Sequence, residues 1–73
     1  MLKRIEINPK TLAGKPIIRG LRISVEQILK LLANRTPESR ILENFPELES
    51  EDIQACLLYA SKLVESEKIY KVA

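Results

Sequence analysis

The chain has 73 residues, enough for one small domain near the lower size at which a single hydrophobic core holds by itself, so dimerisation or a partner protein is expected. It contains no histidine and one cysteine, which excludes a disulfide framework, a Cys/His zinc site and any catalytic triad that needs imidazole. The net charge of +2 conceals a division: residues 1–24 carry six basic side chains against Glu6 alone, and between residues 38 and 52 six acidic side chains face only Arg40. A basic arm is thus joined to an acidic body, and a polyanion would meet residues 1–24 first.

At the N-terminus, "MLKRIEINP" is charged and lacks the apolar middle of a signal peptide, and the longest unbroken apolar run, Ala55 to Ala60, is far too short to span a bilayer. The expectation is a soluble, reducing, cytoplasmic setting with no membrane association. "RIEI" alternates at period two and reads as a strand, and "PII" and "LRISV" read as two further short extended pieces. Asn8-Pro9 breaks the first strand, Gly14 loosens the following loop, and Arg19-Gly20 supplies a turn in which Gly20 can take a positive φ.

From Ser24 the period changes. Ser24 is placed to cap a helix with Gln27 three residues on, and Val25, Ile28, Leu29 and Leu32 repeat at helical spacing to about Asn34. Thr36 is read as the cap of a second helix with Pro37 at its first position and Ile41 and Leu42 facing inward, ended by Pro46. Ser50 begins a third, in which Ile53, Cys56, Leu57, Ala60, Leu63 and Val64 form one apolar stripe reaching Ser66. The fold class that follows is α+β, mainly α: a single domain with a basic β arm over residues 1–24, a three-helix unit over 25–66 shaped like a helix-turn-helix, and a tail over 67–73.

The arm supplies the candidate phosphate contacts. Arg19 and Arg22 flank the turn and Lys15 stands at its mouth, an arrangement that serves either as a solubilising edge or as a strand-borne contact to nucleic acid. "AGKP" is not a nucleotide loop, because Pro9 and Pro16 occupy the positions where a Gly and a Ser or Thr are required. The first turn of the third helix, "SEDIQ", carries Glu51 and Asp52, which would be repelled by DNA and are read as ordinary partners of the helix dipole. Cys56 reads as a small buried hydrophobe. No two carboxylates sit in an apolar setting that would separate their pKa values, so neither catalysis nor a cofactor is expected.

These residues carry a resemblance. "GKPIIRGLRISV" at residues 14–25 is similar to the string GKPxIxGTRIxV of the domain of unknown function 433 family, with Gly14, Lys15, Pro16, Ile18, Gly20, Arg22, Ile23 and Val25 on the pattern. Ile41, Leu42, Pro46 and Leu48 match the second helix and its exit, so the resemblance spans residues 7 to 60. Leu21 stands where the family has Thr, Asn34-Arg35 where a Gly is usual, and Ser39-Arg40 where two Glu precede Ile-Leu. The resemblance implies a helix-turn-helix-like antitoxin of the VapB type, paired with a PIN-like ribonuclease toxin. The small core and the free edge of "RIEI" predict a homodimer, and the basic hairpin is read as its anchor on its own operator DNA. Lys15, Arg19 and Arg22, joined by Arg35 and Arg40 beside the second helix, are the candidate DNA contacts. Leu63, Val64, Ile69 and Tyr70 are the candidate toxin contacts, with packing on a sister subunit as the other use of the same apolar groups. A dimeric adaptor that never touches nucleic acid is the rival from another class. An RNA-directed arm has little support, since Phe45, Tyr59 and Tyr70 all lie outside it.

Overall fold

The computed structural model describes residues 2–66. Two short strands, β1 (Ile5–Ile7) and β2 (Pro16–Ile18), pair antiparallel with Ile5 opposite Ile18 and Ile7 opposite Pro16. Three helices follow, α1 (Val25–Ala33), α2 (Glu38–Asn44) and α3 (Ser50–Ser66). The α+β, mainly helical class read from the sequence is the class observed.

The arm is held by turn chemistry more than by strand pairing. Asn8 accepts from the Lys10 amide through its side chain at 2.9 Å and from the Thr11 amide through its carbonyl at 3.0 Å, which turns the chain out of β1. Leu12, Ala13 and Gly14 then follow with φ of 51°, 56° and 79°, a left-handed turn in which only Gly14 is at ease. Arg19 and Gly20 form the centre of a tight turn closed by the Leu21 amide on the Ile18 carbonyl at 2.7 Å, with φ of 45° and 73°, the signs a type I′ turn requires. A Cβ at Gly20 would stand 3.4 Å from Glu6 Oε1 as well as in the left-handed region. Gly20→Ala is therefore expected to destabilise the domain by about 1 kcal/mol, read as a lower urea midpoint with an unchanged slope.

The third extended piece expected over "LRISV" shrinks to a single bridge between Ile17 and Ser24 and one bond from the Ile18 amide to the Ile23 carbonyl. Its side chains explain why. Ile23 is buried and Leu21 packs on the core, so the segment is fixed by burial of those side chains and needs no ladder. Ser24 caps α1 as expected, its side chain accepting from the Gln27 amide at 3.0 Å. The helix ends with the Thr36 amide on the Leu31 carbonyl and the Arg35 amide on the Leu32 carbonyl, with Arg35 at φ 62°. This is a Schellman ending, and Arg35 occupies the left-handed position that glycine favours. The start of α2 moves by one residue: Pro37, with ψ of 145°, stands before the helix instead of inside it, and no side chain caps it.

Ile18, Ile28, Ile41 and Cys56 are fully buried and, with Val25, Leu48 and Ile53, form the core between β2 and the three helices. Burial pushes the Cys56 thiol up to about 11, so it behaves as a small hydrophobe. Leu57 corrects the expected stripe. It is 50% exposed, and the inward face of α3 is instead Asp52, Ile53, Ala55 and Cys56.

Candidate functional site

The third helix begins on a buried carboxylate. Asp52 has no solvent exposure and accepts four hydrogen bonds. Oδ1 receives Arg4 Nη1 and Arg19 Nε, each at 2.9 Å. Oδ2 receives Arg19 Nη2 at 2.9 Å and the Glu49 amide at 2.8 Å. The last of these is the half of a capping box in which the third helical residue reaches back to the residue before the helix. Arg19 also donates to the Glu47 carbonyl at 2.7 Å, and Arg4 to Glu49 Oε1 at 2.8 Å. Burial pushes the Asp52 carboxyl up, but the bonds from Arg19, the Glu49 amide and Arg4 outweigh it and hold the pKa at about 2. The Arg19 guanidinium is raised by its bond to Asp52, and Arg4 by its bonds to Glu49 and Asp52.

The opposite charges of arm and body thus meet on a buried carboxylate, Asp52, covered by two partly exposed arginines. Arg19 is turned from a candidate phosphate anchor into the clamp on α3, because the left-handed turn aims its fork at Asp52 and a carboxylate matches that fork with two parallel bonds. Asp52, expected beside Glu51 on an outward first turn, is buried while Glu51 stays exposed. Residue spacing could have shown this: an acid three residues after the residue that precedes a helix, as Asp52 is after Glu49, has the capping-box partner within reach.

Lys15 is also paired. Its Nζ lies 2.7 Å from Glu26 Oε1, and Lys30 Nζ lies 3.2 Å from Glu26 Oε2, so one carboxylate holds two ammoniums. The bond from Lys15, then that from Lys30, lowers the Glu26 pKa. Arg22, Arg35 and Arg40 are exposed, with no ion pair within 4.0 Å among the described residues. They form two groups. Lys15 and Arg22 lie ahead of α1, Arg35 and Arg40 lie beyond its far end, and a nine-residue helix of about 13 Å runs between.

The distal part of α3 carries the apolar candidates. Leu63 is 51% and Val64 60% exposed, and Leu57, one helical heptad before Val64, joins them. Ile69 and Tyr70 lie outside the described residues. No group of His, Cys, Asp and Glu among the described residues could hold a metal ion, and no helix there is long and apolar enough to cross a membrane.

Residues 5–60 match a family described as a protein of unknown function, DUF433. The chain belongs to the DUF433 family. The matched span takes in β1, the Arg19-Gly20 turn, α1, α2 and the packed half of α3, and stops before Leu63 and Val64. Within it Leu21 packs against the core, and Arg35 holds a left-handed backbone. No curated protein and no solved structure matches the chain.

Proposed function

We propose that this protein is the antitoxin of a type II toxin–antitoxin pair and binds a PIN-like ribonuclease through the exposed apolar side chains of α3. The observation that carries this reading is the exposure of Leu57, Leu63 and Val64, at 50%, 51% and 60%, on a helix whose side chains from Ser61 to Glu65 are all exposed. A domain this small has little apolar surface to leave in water, and helical anchors at such spacing suit a protein groove. Co-expression with the product of the adjacent reading frame, followed by light scattering on the eluted complex, tests the reading. Leu57→Asp and Val64→Asp are expected to weaken the complex about 30-fold or more while leaving the circular dichroism spectrum and melting temperature of the free protein in place. Retention of full affinity in both variants overturns it.

Operator DNA is the second proposed partner, favoured by the three exposed arginines, Arg22, Arg35 and Arg40, that have no internal counter-ion among the described residues. An adaptor without nucleic-acid binding differs in lacking this property alone, so binding to the duplex upstream of its gene separates the two. A homodimer is better served by α3 than by the edge of β1. That edge is three residues long and carries the exposed Glu6 at its centre, a charge that repels its own copy across a two-fold axis.

A further inference from the structure

We propose that the cleft lined by Lys15, Ser24, Glu26, Gln27 and Lys30 is a seat for a phosphate group, filled by a backbone phosphodiester of duplex DNA; the inference rests on the operator reading above. The cleft has a volume of about 250 Å³ and opens between the loop leading into β2 and the first turns of α1. Two ammoniums converge on it from different elements, and a single carboxylate neutralises only one of them.

The pairs are of the exchangeable kind. Lys15, Glu26 and Lys30 are 56%, 47% and 72% exposed at their side chains, and ion pairs in such a setting contribute little. Each ammonium has three donors, so contact with Glu26 does not exhaust either. A backbone phosphodiester carries one negative charge on two non-bridging oxygens, as the Glu26 carboxylate does, so it can take both lysines in place of Glu26, which swings out into water. Glu26 therefore acts as an internal competitor: it holds the two cations together when the cleft is empty and opposes the ligand that replaces it. Arg22, two residues before Ser24 and without an ion pair among the described residues, adds positive charge to the approach. At the other end of α1, Arg35 and Arg40 share their corner with the exposed Glu38 and Glu43, so the field there is weaker.

The distinctive expectation is a gain. Glu26→Gln keeps the shape of the side chain and removes the competing charge, so it should bind the duplex upstream of its gene about fivefold more tightly than the parent at low salt. Lys15→Ala and Lys30→Ala should each bind more weakly and reduce the salt slope by about one unit. Fluorescence polarisation gives these affinities. Amide shifts of the isotope-labelled full chain, titrated separately with the duplex and with pyrophosphate, give the location. Shifts at Ser24 and Gln27 with DNA, together with the gain in Glu26→Gln, support the proposal. DNA binding with shifts confined to the Arg35 and Arg40 corner, and no gain in Glu26→Gln, overturns the proposal and leaves the operator reading standing. Shifts at Ser24 and Gln27 with pyrophosphate alone support the phosphate seat, assign it to a free phosphate compound and remove the operator reading. No shift with either probe overturns both.

Discussion

Asp52→Asn is expected to destabilise the domain by about 3 kcal/mol, a fall of roughly 15 °C in melting temperature for a chain of this size. The side chain keeps its volume but loses the charge that two arginines and the Glu49 amide converge on, and the amide hydrogens it gains point at donors. The same substitution carries a pH signature. With a carboxyl whose ordinary value is 3.8 held at about 2 in the folded protein, its contribution is fully present above about pH 4 and disappears as pH falls through 2. The size of that contribution is on the order of 2 kcal/mol. Thermal melts of parent and Asp52→Asn should therefore converge between pH 4 and pH 2 after lying far apart at pH 7. A difference of less than about 4 °C at neutral pH would mean that the clamp adds nothing to stability.

The second large effect lies in the core. Ile28→Ala removes three carbons from a side chain with no exposure, at the centre of the cluster joining α1 to Ile18, Ile41 and Cys56. The expected cost is about 2–5 kcal/mol, comparable to everything a domain of this length gains from a single core. The isolated variant should be largely unfolded at 25 °C by circular dichroism. Leu57→Ala is the contrasting case: half exposed on α3, it should change stability by about 0.5 kcal/mol or less. If the two variants melt together, the inward face of α3 has been assigned to the wrong residues.

Local chemistry was legible in the sequence wherever one residue type answers one backbone demand. Ser24 with Gln27, Gly20 in its turn and the start of α3 at Ser50 all follow from such pairings. What stayed hidden depended on residues far apart in the chain. The apolar stripe of α3 contains both buried and exposed members at helical spacing, and only the position of the arm shows that Ile53 faces in while Leu57 faces out. The basic residues of the arm look alike on paper, and the handedness of one turn sets the Arg19 guanidinium on Asp52 while Arg22 has no ion pair among the described residues. Of the candidate contacts, Lys15 has an exposed position and a partner in Glu26, 11 residues away and so beyond local spacing rules, whereas the pairing of Glu26 with Lys30, one turn along α1, is of the kind that spacing shows.

The clamp on Asp52 also orders events in time. Its bonds to Arg19 and Arg4 join residues 33 and 48 positions apart, so each closes a loop of about half the chain or more. As the polypeptide is synthesised, the arm emerges before α3, and its left-handed turn lacks the carboxylate that holds the Arg19 fork until residue 52 has followed it out. The arm, made before α3, is thus among the last parts to be fixed, and until Asp52 follows it Arg4 and Arg19 lack the carboxylate that they share in the folded protein.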